Sequence, residues 1–190
     1  ARDIDVLFCG RLEPEKGSAP MAEVCRALVA QRLGVRIAIV GDGGDGPRVR
    51  AALRDLGAHI TWAGRVPFGE IPQWYQRSRV YASTSYYEGL PGTCLEAMAC
   101  GLPAAVWDRP FYRGLVLPGH TGLTAPVDDV AALTAQIGTL LDDPSRAAAL
   151  GRHGAELVRQ RHDWRRLAVE VLQACTAPPA RAQGAPVAAA

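Results

Sequence analysis

VRIAIVGDGGDGPRVRAALRDLG, residues 35–57, runs a short apolar, β-branched segment into a glycine turn and then into an amphipathic stretch. VRIAIVG (35–41) has the pattern of a strand covered on both faces, and PRVRAALRDLG (47–57) spaces its apolar residues at the period of a helix. The same unit recurs outward in both directions. IDVLFCG (4–10) precedes a helical pattern from Ala19 to Leu33, ended by Gly34. HITWAG (59–64) precedes EIPQWYQRS (70–78). VYAST (80–84) leads to a short helix with Glu96 on its first turn, stopped by Gly101 and Pro103. LPAAVW (102–107) and TGLTAP (121–126) supply a fifth and a sixth strand pattern. Alternation at this spacing predicts an α/β domain with a doubly wound, mostly parallel sheet of about six strands and helices on both faces.

Helical patterns at 128–142, 144–161 and 163–175 follow, the first opened by Asp128 or Asp129 and the second by Pro144 and Ser145. TAPPARAQGAPVAAA (176–190) has no periodicity and little apolar bulk, so a disordered tail is expected after a single domain over 1–175. A chain of 190 residues can bury one stable core without staples. With 21 basic and 19 acidic residues the net charge is +2, which advertises no nucleic-acid surface. Five cysteines (Cys9, Cys25, Cys94, Cys100, Cys175) lack metal or redox spacing, and the four histidines do not cluster in sequence. Free thiols in a reducing compartment, the cytoplasm, are expected, with no bound metal. No apolar run approaches the ~20 residues of a membrane span. The chain begins without Met directly before a strand pattern, as a piece of a longer protein would.

In doubly wound sheets ligands sit beyond the carboxyl ends of the strands, near the point where strand order reverses. That places the chemistry after each strand. GDGGDG (41–46) matches G-x-G-x-x-G and would suit an NADP-type dinucleotide, with Arg65 after the next strand for a 2′-phosphate. It follows the second strand rather than the first, and Asp42 and Asp45 would repel a pyrophosphate, which favours a tight structural turn. GRLEPEKG (10–17) carries Arg11 and Lys16, a fork and a point charge suited to a diphosphate or to solvent alike. SYYEGLPGTCLEAMACGLP (85–103) holds two carboxylates, Glu88 and Glu96, eight positions apart. Thr93-x-x-Glu96 fits a helix capping box, worth about 1 kcal/mol. Glu88 sits before a helix start thinned by Gly89, Pro91 and Gly92, where free amides receive an anion.

Together these segments resemble the donor-binding C-terminal domain of retaining family-4 glycosyltransferases, one Rossmann-like half of the GT-B fold. The resemblance rests on GRLEPEKG (10–17), IAIVGDGG (37–44), WAGRVP (62–67) and, above all, STSYYEGLPGTCLEAMACGLPAAV (83–106), which is similar to the family's E-x7-E signature. PGHTGLTAPVDDVAALTAQI (118–137) and HDWRRLA (162–168) extend it, so that it covers residues 4 to 173. The resemblance implies transfer of a hexosyl unit from a UDP-, GDP- or ADP-sugar to a glycan or lipid-linked acceptor, with retention and without a metal. It implies that Arg11 and Lys16, beside Gly10, neutralise the diphosphate and that Glu88 binds sugar hydroxyls. Glu96 would bind the ribose, the backbone of Gly89, Leu90, Pro91, Gly92 and Thr93 would lie near the distal phosphate and sugar, and Arg65 and Val66 would border the base. Arg113-Gly114 stands where the family often has an acid, which puts one sugar or acceptor contact in question. The family's N-terminal acceptor domain is absent from these residues. The chain alone is therefore expected to turn over little, and any peripheral membrane association would run through that missing domain. A non-catalytic nucleotide-binding module, a sugar-nucleotide epimerase and an NADP-binding module are the rival readings.

Overall fold

The computed structural model describes residues 2–176. Six strands form one sheet: β1 (Ile4–Cys9), β2 (Ile37–Val40), β3 (Ile60–Gly64), β4 (Ser78–Ser83), β5 (Ala104–Trp107) and β6 (Gly122–Ala125). Their order is β3-β2-β1-β4-β5-β6. Every pairing is parallel, so the expected mostly parallel sheet is entirely so. The helices are α1 (Ser18–Gln31), α2 (Gly46–Ala52), α3 (Ile71–Arg77), α4 (Gly92–Ala99), α5 (Val130–Asp142), α6 (Pro144–Arg161) and α7 (Trp164–Thr176). The expected tail, 176–190, lies outside the described residues except for Thr176, the last residue of α7.

Period-2 alternation divides the buried strand residues between two cores. Val6, Phe8, Ile37, Ile39, Val80 and Trp107 face one, under α1, α2 and α5. Leu7, Ala38, Val40, Tyr81, Ala104 and Val106 face the other, under α3, α4 and α6. A strand with both faces covered has no polar side, which is why residues 35–41 carry a continuous apolar run. Gly151 of α6 lies close over the end of α4: a Cβ there would stand 2.1 Å from the carbonyl oxygen of Gly101.

Element ends differ from the sequence expectation where local bonding decides. The helix expected to reach residue 57 stops at Ala52, because Leu53 leaves helical backbone (φ −109, ψ 8) and Gly57 takes φ 50 in a 3-10 segment over Arg54–His59. α3 stops at Arg77, since Ser78 is extended and its hydroxyl donates to the carbonyl of Trp74 at 2.6 Å. α6 opens at Pro144 and Ser145 as expected, and Asp143 caps it: the Asp143 carboxylate accepts the Arg146 amide at 2.9 Å. Asp129 caps α5 in the same way, accepting from Ala132 at 2.8 Å. The histidines, scattered in sequence, do meet once: His120 and His153 stack with ring centroids 4.5 Å apart.

At the opposite end of the sheet from the loops discussed below, Asp5 of β1 is buried and ties β1 to β4 and to the residue just before β2. It accepts the Arg36 amide at 2.9 Å, the Arg36 guanidinium at 3.2 and 3.3 Å, and Arg79 Nη1 at 3.1 Å. Burial alone would raise its pKa, but these donors outweigh burial and hold it below the ordinary carboxylate value of 3.8. With the folded value below the unfolded one, the stabilisation is complete above the unfolded pKa and is lost as pH falls through the folded value. Asp5→Asn should therefore cost about 1 kcal/mol at pH 7 and flatten the fall of melting temperature below pH 4. An acid limb identical to that of the parent chain would refute this role.

Candidate functional site

Strand order reverses between β1 and β4, so the loops leaving these neighbours diverge to opposite faces and open a crevice at their carboxyl ends. A cleft of about 340 Å³ occupies it. The loop after β1 forms one wall. It closes as a 3-10 turn over Pro14–Lys16 and ends at Gly17 (φ 68, ψ 38), which starts α1. The segment after β4 forms the facing wall and is stitched to that turn. Thr84 Oγ1 donates to the Gly17 carbonyl at 2.9 Å, and the amides of Tyr86 and Tyr87 donate to the Glu15 carbonyl at 3.0 and 3.3 Å.

This stitching brings Lys16 and Glu88 together across 72 positions of sequence. Lys16 Nζ donates to Glu88 Oε2 at 2.6 Å, and Ser85 Oγ donates to Glu88 Oε1 at 2.9 Å. Only 21% of the lysine side chain and 15% of the glutamate remain exposed, so the carboxylate has the donors that a half-buried charge requires. Arg11 is 65% exposed at the cleft mouth and pairs with Glu15 at 3.0 Å. A surface pair of this kind contributes little to stability and leaves the guanidinium available to a ligand.

Glu96 lines the same cleft, but its local role differs from the capping expectation. α4 starts at Gly92 with Pro91 as its cap residue and no side-chain cap, so Glu96 is the fifth residue rather than on the first turn. Glu96 Oε2 instead accepts the Tyr75 hydroxyl at 2.9 Å, and Thr93 Oγ1 bonds the Tyr81 hydroxyl at 2.9 Å. The Thr93-x-x-Glu96 capping box is thus not formed. Both side chains are engaged from below by tyrosines, which competes with reaching back along the helix. The Gly92 amide is spent on the Leu90 carbonyl, and the first bond of α4 runs from Leu95 to Pro91. The amides of Thr93 and Cys94 therefore precede the first intrahelical donor, Leu95, at the positive end of the helix dipole.

Gly10, Arg11, Lys16, Glu88, Gly92, Thr93 and Glu96 all line this one cleft. The structure does not bring the remaining expected residues into it. Arg65 is exposed after β3, and Val66 packs on the core beneath α3 and α4. Gly89 and Leu90 are exposed on the loop before α4, and Pro91 is buried at its start. The GDGGDG turn is occupied by protein. Gly43 and Gly44 donate to Asp42 Oδ1 and Glu13 Oε1 at 2.9 and 2.8 Å, and the amides of Asp45 and Gly46 bond the carbonyls of Leu12 and Gly43. A Cβ on Gly41 or Gly43 would meet the carbonyl oxygen of Gly10 at 1.9 Å or of Leu12 at 2.4 Å. These glycines support the loop carrying Arg11 and Lys16, and leave no amide nest for a pyrophosphate.

Three tyrosines escaped the sequence reading. Tyr75, Tyr81 and Tyr112 are 1–2% exposed, and each delivers its hydroxyl to a cleft-lining side chain: Glu96, Thr93 and, at 2.8 Å, Ser83. Burial raises all three phenol pKa values, so the hydroxyls stay protonated at neutral pH. The available signal was a polar-tipped ring inside an apolar run, as in VYAST, whose hydroxyl must find a partner when buried. Among the described residues no three of His, Cys, Asp and Glu are grouped to hold a metal ion. No helix among them is long and apolar enough to cross a membrane.

The model of a protein family described as "Glycosyl transferases group 1" matches residues 1–157. The chain belongs to this family. A GDP-mannose-dependent α-(1-6)-phosphatidylinositol monomannoside mannosyltransferase of Mycolicibacterium smegmatis is 32% identical over 173 residues, covering 86% of this chain and 45% of that protein. A 2-deoxystreptamine N-acetyl-D-glucosaminyltransferase of Streptomyces fradiae is 35% identical over 175 residues, covering 85% and 42%. Among solved structures, a sucrose-phosphate synthase of Thermosynechococcus elongatus superposes with a TM-score of 0.81 at 30% identity, covering 92% of this chain and 45% of that one. This group 1 glycosyl transferase chain thus spans less than half the length of these relatives, and the Rossmann-like sheet is that of GT-B glycosyltransferases.

Proposed function

We propose that the chain is the donor-binding half of a retaining hexosyltransferase. It would take a UDP-, GDP- or ADP-sugar, with an acceptor-binding domain supplying the other wall of the cleft. The observation that carries this reading is the convergence of the Lys16–Glu88 pair, Glu96 and the start of α4 in one cleft at the strand-order reversal. Arg11, Lys16 and the leading amides of α4 would hold the diphosphate, a stabilisation of departing charge by fixed donors that needs no metal. Once phosphate oxygens share the Lys16 ammonium, Glu88 can accept from sugar hydroxyls, while Glu96 binds the ribose. The acceptor oxygen bonds to the anomeric carbon on the face from which the diphosphate departs, and the acceptor proton leaves with the diphosphate. A single domain that lacks the acceptor wall should bind donor but turn over little. The free thiols of the described residues suit a reducing cytoplasm.

A thermal-shift panel of UDP-, GDP- and ADP-sugars against NADP tests the reading. A ligand at a hundred times its Kd stabilises by about 2.7 kcal/mol, so one of the sugar nucleotides should raise the melting temperature. A rise with NADP and with none of the sugars would contradict the proposal. Arg11→Ala should leave the melting temperature unchanged and weaken the sugar nucleotide by about 1 kcal/mol, with the free nucleoside unaffected, when both are titrated calorimetrically. Equal losses for the two ligands would remove Arg11 from the diphosphate.

A further inference from the structure

We infer that Tyr75 is a positioning residue for Glu96, holding the carboxylate at the orientation that lets the cleft select a ribose bearing its hydroxyls. The inference rests on the donor-site reading above. Tyr75 comes from α3 and is 1% exposed within the core beneath α3 and α4. Its phenol oxygen lies 2.9 Å from Glu96 Oε2 and 3.5 Å from Cys9 Sγ. A phenol has one proton. The shorter contact, to a carboxylate, takes it, and the phenol oxygen is left to accept from the Cys9 thiol. Cys9 stays a thiol at neutral pH, because burial pushes its pKa up to about 11. Cys9, Tyr75 and Glu96 therefore form a directed chain that ends on one carboxylate oxygen.

Glu96 Oε1 has no protein donor among the described residues, whereas Oε2 accepts the Tyr75 hydroxyl. A glutamate on a helix has three rotatable bonds, and fixing one oxygen to a buried, ring-mounted hydroxyl leaves the other aimed at the cleft. Without the phenol the carboxylate would sample several rotamers and meet a vicinal diol less often. Tyr75 does not itself line the cleft, whereas both side chains it touches, Glu96 and Cys9, do; of the two only Glu96 offers a charged acceptor to a diol, so ribose selection is read through Glu96.

The test is calorimetric titration of the 190-residue chain with UDP and GDP and with their 2′,3′-dideoxy forms, well below the melting temperature. The reading is the ribo-over-dideoxy affinity ratio for whichever base binds. Glu96→Ala should abolish the preference. Tyr75→Phe should reduce it at least about 3-fold, near the lower end of what one net hydrogen bond contributes. In the Glu96→Ala background Tyr75→Phe should add nothing. If Tyr75→Phe lowers both affinities equally and keeps the ratio, or changes neither, the positioning role is overturned while the donor-site reading stands. If Glu96→Ala keeps the ratio, the ribose contact fails and the inference fails with it. Should Tyr75→Phe not fold, Tyr75→Met removes the hydroxyl with an adaptable side chain and is read in the same way.

Discussion

Gly17→Ala should destabilise the fold by at least about 3 kcal/mol and remove donor binding altogether. Gly17 has φ 68, where an L side chain costs roughly 1–2 kcal/mol. The larger cost is steric. A Cβ there would stand 1.9 Å from the carbonyl oxygen of Thr84, a main-chain atom that no rotamer change can move. Relief requires the turn after β1 to part from the segment after β4. That separation breaks the Thr84 hydroxyl bond to the Gly17 carbonyl and draws Lys16 away from Glu88. Gly34→Ala is the matched control, with φ 74 but no atom within 4 Å of the new Cβ, so it should cost only the backbone term. Urea unfolding of the two variants decides the matter. Equal midpoints would show that the close approach at Thr84 does not organise the cleft.

Glu96→Ala should weaken nucleoside diphosphate binding by about 1.5–3 kcal/mol, the value of a hydrogen bond to a charged group, or roughly 10- to 150-fold in Kd. The melting temperature should change little, because Glu96 caps nothing and α4 begins at Pro91–Gly92 without it. The Tyr75 hydroxyl loses its carboxylate acceptor but lies 3.5 Å from Cys9 Sγ and can donate there, which limits the stability cost. A capping residue would give the opposite pattern, with lost stability and preserved affinity. Calorimetry and a melting curve on one preparation separate the two.

The fold was legible because parallel strands buried on both faces read as apolar runs, as in β1, β2 and β5. All six strands overlap the stretches where strands were expected, although only Ile60 of β3 is buried and β4 begins two residues before its expected run. The element ends were less legible. Gly57 punctuates a 3-10 segment rather than a helix, and the cap that Asp143 adds ahead of the expected Pro144 start was not read, because these outcomes depend on backbone bonds that spacing does not encode. In the site, GRLEPEKG and the Glu88–Glu96 stretch were legible as charge placed beyond strands. The direct pairing of Lys16 with Glu88 was not, since it depends on how two loops 72 residues apart are stitched. The tyrosine floor was hidden for a related reason. A phenol in an apolar run looks like core until the partner of its hydroxyl is known, and here each partner faces the cleft. GDGGDG shows the reverse: a phosphate-binding pattern in sequence whose amides are consumed by Asp42, Glu13 and neighbouring carbonyls.

Backbone-amide NMR titration of the 190-residue chain with UDP-glucose and with GDP-mannose is the most direct measurement of where a donor binds. The largest shifts should fall on Gly10, Arg11, Lys16, Glu88 and the first amides of α4, Thr93 and Cys94, with smaller ones at Glu96. Shifts centred on Gly41–Gly46, or no saturable shift with either sugar nucleotide, would contradict a donor site at the junction of β1 and β4.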